Sequence, residues 1–399
     1  MNSCSESPKV SLWQNPDFCR FFLGRFVTNV GDSLYSITIM WLVFDLTNST
    51  FLTGVTSSLL LLPYMLELIA GPFVDRFRIK PLLIGSQLLQ GGIMLVLFIG
   101  AYTGWLTIEL ILIAVPVLSL LNAVLAPIQT TLLPRIMRES QLSRGNSALT
   151  TITIGLDTLF EAVGGVLIAA FGVTALFVID SITFGVATLL FAGIGIPTVN
   201  GGTDQAGESV VGSYIADLRT GIRLLQGSLL VEMLLLSAVA NFAVGITLAI
   251  LPAFGESLGG PQMYGLMLGA LGAGRLLGSV AASYLTHVAY GPLTTGGYLL
   301  GGCLWATAVV TPSVTLTIFL FGAAWIPAGV NAVLRETITQ KVFPENNLGC
   351  VSAIQGTISG LTLPVGSLIG GVLAAYVGVT ELMILTALGF GITGIYFYL

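Results

Sequence analysis

Apolar stretches about as long as a bilayer is thick recur from one end of the chain to the other, separated by short polar breaks. A helix that crosses a membrane needs about 20 apolar residues, since each adds about 1.5 Å against a hydrocarbon core about 30 Å thick. Reading the stretches between breaks places spans at 18–45, 50–73, 81–102, 106–132, 145–171, 173–196, 228–252, 262–286, 291–310, 313–335, 350–376 and 378–398. The expected fold is an all-α membrane protein of twelve transmembrane helices. Of 399 residues, 55% are hydrophobic and 8% are charged. A water-soluble domain of this length needs a far more charged exterior, so water is the wrong solvent for most of this chain.

Several function classes fall away. The net charge of -5 and the pI near 4.9 argue against nucleic acid, whose partners carry basic patches. The polar start MNSCSESPKVSLWQNPDF has no basic n-region and no cleavage site, so it is not expected to be a signal peptide. Cys4, Cys19, Cys303 and Cys350 lack metal-ligand spacing and obvious pairing, and His287 is the only histidine. No nucleophile–base set presents itself, so an enzyme is not expected. No phosphate-binding motif of an ATPase is present either, and no cofactor is expected. GAGRLLG (272–278) has the wrong spacing for a dinucleotide loop and reads as close helix packing through small residues.

The long polar interval, 197–227, contains NGGTDQAGES and then SYIADLRTGIRLL, an amphipathic stretch suited to the membrane interface. It separates an expected six-helix half, 1–196, from a second, 228–399. Placing the N-terminus in the cytoplasm puts Lys9, Arg20, Arg76, Arg78, Lys80, Arg135, Arg138, Arg144, Arg219, Arg223, Arg335 and Lys341 on that side. The outer loops then carry Asp45, Glu109, Glu256 and Glu381 and no Lys or Arg, as the positive-inside rule requires. Both termini are therefore expected in the cytoplasm, with the protein in the cell membrane. The halves also repeat: GGVLIAAFGVTAL (164–176) aligns with GGVLAAYVGVTEL (370–382), and ESQLS (139–143) with ENNLG (345–349), at one constant offset. Asn29 and Asn241 form a weaker echo. The duplication is six helices plus six, in parallel.

That arrangement resembles the major facilitator superfamily, and specific residues carry the resemblance. GPFVDRFRIK (71–80) is similar to the superfamily's cytoplasmic loop signature at Gly71, Asp75, Arg76 and Lys80, with Arg78 and Ile79 departing from it. More narrowly, FLGRFVTNVGDSLYSITIMWLVFDLTNS (22–49), APIQTTLLPRI (126–136), LSRGNSAL (142–149) and YGLMLGALGAGRLLGS (264–279) resemble the macrolide-efflux and enterobactin-exporter branch. The resemblance implies a transporter that rocks two halves about a central cavity, with the 71–80 loop as a gating element. Exporters of the superfamily often carry a Gly-Pro pair in the fifth span. Here that place reads Phe160-Glu161-Ala162-Val163, with an acid in its stead.

Ionisable side chains inside a bilayer cost about 3 kcal/mol at a helix centre and so mark working sites. Arg25, Asn29 and Asp32 lie at i, i+4 and i+7 and form one polar stripe about 10 Å long. Asp32 reads as a proton or cation site, or as a packing group; Arg25 reads as its partner, or as a side chain snorkelling to the interface. Glu67 is a second candidate proton carrier, or a glutamate hydrogen-bonded between helices. Asp157 and Glu161 share a helix face one turn apart, and two buried carboxyls this close titrate as a pair. Asp180 and Arg275 read as structural. Tyr35, Tyr64, Asn122, Asn241, Trp325 and Gln355 are candidate cavity residues beside Arg25 and Asn29, although aromatics at helical spacing equally suit a core.

The leading reading is proton-coupled efflux of an amphipathic small molecule by a monomer in the lipid bilayer, with a small-molecule substrate and protons as partners and no nucleic acid. Facilitated uptake of a metabolite is one alternative. A non-transporting receptor or lipid scramblase on the same fold is another.

Overall fold

The computed structural model describes residues 12–63, 78–195, 229–285, 287–342 and 345–396, and it is helical throughout these segments. The sequence sets the helix ends. Asn15 caps the first long helix by accepting from the backbone N–H groups of Asp17 and Phe18, with Pro16 at its first position. This α1 runs Pro16–Thr47 and stops at Asn48, whose left-handed backbone (φ 47°) turns the chain directly onto Ser49, the cap of α2 (Thr50–Leu60). Then follow α3 (Ile79–Thr103), α4 (Ile108–Ala123), α5 (Leu125–Ile136) and the long α6 (Glu139–Ala192). After residue 228 come α7 (Leu229–Leu258), α8 (Pro261–Ala282), α9 (Tyr290–Val310), α10 (Val314–Ala324), α11 (Ile326–Val342), α12 (Glu345–Val377) and α13 (Val379–Tyr396).

Among the described residues, eight helices are long and apolar enough to cross a membrane, and Thr50–Leu60 and Val379–Ile395 are shorter apolar helices. That tally joins α4 to α5 and α10 to α11, which the structure breaks at Val124 and Trp325 inside the spans read as 106–132 and 313–335. It also takes Val163–Ala192 as one span, although α6 folds back on itself at Gly172, with φ 75° and ψ 160°, between the spans read as 145–171 and 173–196. A side chain is strained at such a backbone. Gly378, its partner in the sequence repeat, makes the corresponding turn at φ 100° between α12 and α13. The segment 197–227, including the amphipathic stretch, lies outside the described residues, as does most of the loop 71–80.

One end of the bundle holds the turns at Asn48, Gly172, Gly259 and Gly378; the other holds Arg20, Lys80, Arg135, Arg138, Arg144, Arg335 and Lys341. The helices before residue 192 meet those after 229 near the first end. There α6 packs on α8, and α2 packs on α12 and α7. At both crossings the backbones touch. A methyl at Gly54 would lie 2.8 Å from Gly371 Cα, and one at Gly165 would lie 2.7 Å from Gly265 N. Hydrogen bonds tie the seam: Thr50 donates to the Gly371 carbonyl at 3.1 Å, Thr53 to that of Ala249 at 2.8 Å, and Ser57 to Ser367 Oγ at 3.0 Å. Trp41 stacks on Tyr264 at 6.1 Å beside them.

Apolar packing follows the same division. A core joining Ile37, Trp41 and Ile168 to Ala249, Phe254 and Tyr264 crosses the seam. Toward the arginine end, one cluster (Phe18, Leu83, Leu132, Phe191) draws only on residues before 195, and two others (Met233 with Ile354, Ala282 with Leu334) only on residues after 229. Among the described residues, the halves meet at the Gly172 end, and the apolar clusters toward the arginine end stay within one half or the other.

Candidate functional site

The polar centre is built around α1. Residues 31–33 sit at its midpoint, about 24 Å from either end at about 1.5 Å per residue. Successive helical residues point about 100° apart, so these three face three different neighbours. Gly31 faces the return arm of α6, where a methyl would run into Asp180 Oδ1 and Thr183 Oγ1. Asp32 faces the cavity on the side where Asn122 of α4 lines it. Ser33 faces the outgoing arm of α6 and donates to Asp157 Oδ1 at 2.7 Å. One turn earlier, Asn29 donates through Nδ2 to Thr153 Oγ1 at 2.8 Å.

Three carboxyls therefore converge on one level of one helix. Arg25 lies within electrostatic reach of two of them, Asp32 and Asp157. It is only 9% exposed, and its Nε has no hydrogen-bond partner among the described residues. An uncompensated charge in the hydrocarbon zone costs about 3 kcal/mol or more, so three carboxylates cannot all be ionised beside one guanidinium. Such a centre holds more acid than its one guanidinium can neutralise.

A cavity of about 450 Å³ opens at this level, a size that takes a drug-like molecule. Arg25, Asn29, Asp32, Asn122 and Asp157 give it a polar wall, and Tyr35, Met40, Leu60 and Met94 a more apolar one. Leu248, Tyr264 and Leu268 reach it from beyond the seam. Gln90 joins the polar side and is held by Gln87, which in turn accepts from Thr28 at 2.8 Å.

Other sequence candidates lie elsewhere. Trp325 is buried among Trp305, Phe321 and Phe390 in an aromatic cluster. Gln355 donates to Thr339 Oγ1 at 3.2 Å between α12 and α11, and Asn241 sits half-buried on α7. Glu67, Tyr64, Gly71, Asp75 and Arg76 fall outside the described residues, as does the side chain of Glu161, whose backbone continues α6 one turn before Gly165. Lys80 donates through Nζ to the Ile194 carbonyl at 2.8 Å, beyond the last turn of α6. Two neighbours hold the same point: Arg20 reaches the Gly193 carbonyl at 2.6 Å, and the Gly195 N–H donates to Asp17 at 2.9 Å. Cations satisfy the orphan carbonyls of a helix C-terminus. Lys80→Ala is accordingly expected to cost about 1 kcal/mol of stability, read as a lower midpoint of thermal unfolding; an unchanged midpoint would remove this anchoring role.

Sequence reasoning did not find Ser33 or Thr153, small hydroxyls common in apolar helices, and it read Asp180 as structural. The available signal was Gly31: a glycine directly before a buried acid leaves room for a neighbour's side chain.

The pattern of the transmembrane secretion effector family matches residues 10–399. The chain belongs to this family of major facilitator transporters. Among its relatives is macrolide efflux protein A of Streptococcus pyogenes, 22% identical over 380 residues and covering 92% of each chain. The enterobactin exporter EntS of Salmonella choleraesuis is 26% identical over 371 residues, covering 89% of this transporter and 85% of EntS. Solved structures share the fold. A bacterial homologue of the human lysosomal transporter Spinster, inward-facing and occupied, superposes with TM-score 0.71 at 12% identity over 98% of this chain and 97% of that one. The nucleoside transporter NupG gives 0.71 at 13% over 96% and 98%. The protein is thus a multi-pass membrane transporter of a small molecule, and not an enzyme.

Proposed function

We propose that this transporter exports an amphipathic, drug- or siderophore-like molecule by alternating access, driven by proton entry. The observation that carries the reading is the convergence of Asp32 and Asp157, beside Arg25, on a mid-helix cavity able to hold such a cargo. In this reading the chain forms twelve spans in two halves, 1–196 and 228–399, joined by a cytoplasmic linker at 197–227. The shared turns at Gly172 and Gly378 and the paired crossings at Gly165 and Gly371 support that symmetry. With the arginine end in the cytoplasm of a cell-membrane monomer, the division at that end corresponds to an inward-open state. Asp32, Glu67, Asp157 and Glu161 carry protons; Arg25, Asn29, Tyr35, Tyr64 and Asn122 serve the cargo path; Gly71, Asp75, Arg76 and Lys80 form the gate.

The efflux relatives suggest the probes. Protein reconstituted into liposomes is expected to accumulate a radiolabelled macrolide, or enterobactin, when a pH gradient is imposed, and to lose the accumulation when an ionophore collapses it. Equilibration indifferent to the gradient would replace this reading with facilitated passage. Flux of neither probe, together with scrambling of fluorescent lipid, would replace it with a lipid scramblase.

A further inference from the structure

Asp180 is a buried carboxyl for which the proposed cycle has no task. It is 1% exposed, and its Oδ2 has no hydrogen-bond partner among the described residues. Its Oδ1 receives only a long bond of 3.4 Å from Thr183, whose hydroxyl also donates to the Asp180 carbonyl at 2.7 Å. Packing alone does not account for an acid left so poorly satisfied, because a buried polar atom without a partner costs about 1–3 kcal/mol. The carboxyl fills the notch at Gly31, beside Asp32 in the chain.

Tyr35 stands one helical turn after Gly31, on the same face of α1. It is 7% exposed, its hydroxyl is also without a partner among the described residues, and its ring lines the cavity. Both Asp180 and Asp32 lie within electrostatic range of it. Beside Asp180 in the chain, Ser181 donates to the Gly91 carbonyl of α3 at 3.0 Å. Among the described residues, Arg25 and Asp157 are charged groups at this centre, and both act on Asp32.

We propose that Asp180 is a second proton reservoir of the transporter, its proton coupled to that of Asp32 across the notch at Gly31. Two neighbouring carboxyls in the bundle do not both ionise cheaply, so ionisation of Asp32 holds the proton on Asp180, and protonation of Asp32 frees Asp180 to give its own to water. Asp180 thereby keeps a proton behind the cavity wall while cargo occupies the face that Asp32 presents. This rests on the proton-coupled reading above.

Infrared difference spectra of the full chain in liposomes, recorded between acid and alkaline buffer without cargo, test it. Asp32→Asn is expected to delete one titrating carboxylic-acid band and Asp180→Asn a second. In Asp180→Asn the Asp32 band is expected to change its midpoint by about one pH unit, the mark of coupled titration. Asp180→Glu, which keeps the acid, is expected to retain a second band at a shifted midpoint, and it serves if Asp180→Asn does not fold. If the Asp32 band titrates identically in Asp180→Asn and no second band moves in Asp180→Glu, Asp180 is a packing group and the inference falls while proton coupling stands. If neither band titrates, both fall.

Discussion

Asp32→Asn is expected to abolish gradient-driven accumulation in liposomes while leaving exchange of labelled for unlabelled macrolide intact. A pH difference of one unit stores about 1.4 kcal/mol per proton, which supports about tenfold accumulation of cargo. An asparagine keeps the shape of the side chain but cannot take up a proton. The accumulation ratio should therefore fall from about ten to about one, with exchange reduced by far less. Exchange isolates cargo binding and the rocking motion, because it needs no net proton movement. Loss of both activities together would make Asp32 a cargo or folding residue. Retained accumulation would remove it from coupling, leaving Asp157 as the described carboxyl on the cavity wall.

Gly165→Leu is expected to hold the transporter away from the state closed at the Gly172 end. A single methyl at this position would overlap the Pro261 carbonyl oxygen and sit 2.8 Å from Gly265 Cα, and both obstacles are backbone that cannot rotate away. Overpacking of this kind costs about 1–3 kcal/mol or more. That strain exists only while the crossing is closed, so it shifts the population between conformations by about tenfold per 1.4 kcal/mol. Spin labels at Ser49 and Ser257, in a background without native cysteines, should report a new population at longer distance and a loss of transport. Gly92→Leu is the control: its side chain enters open space on an exposed face of α3, and distances and transport should stay as they are. An unchanged distribution in Gly165→Leu would mean that this crossing is not the closed gate.

Much of this was legible in the chain. Alternation between long apolar runs and short polar breaks reports the solvent around each helix, and one residue follows the next closely enough for that pattern to survive any packing. The turns at Gly172 and Gly378 lie where the repeat placed the joins between spans. The stripe of Arg25, Asn29 and Asp32 also survives, because i, i+4 and i+7 lie on one side of a helix in any surroundings. Other details were not legible. Asp157 was read beside Glu161 on its own helix, but its described partner is Ser33 on another, 124 positions away. Lys80 was read as a gate residue, and its described bond goes to the end of α6, 114 positions away.

Hydrophobic periodicity and spacing established a lipid-embedded helical bundle, its internal repeat and a polar stripe on its first helix. They said nothing of which way each helix turns about its axis relative to the others. That rotation emerged only when backbones approached at small residues such as Gly31, Gly54 and Gly165, where the absent Cβ lets a neighbour in. Packing in three dimensions thereby gathered Asp32, Asp157 and Asp180 at one height and brought the two halves together at the Gly172 end. These are relations between residues far apart in the chain, and no local pattern encodes them.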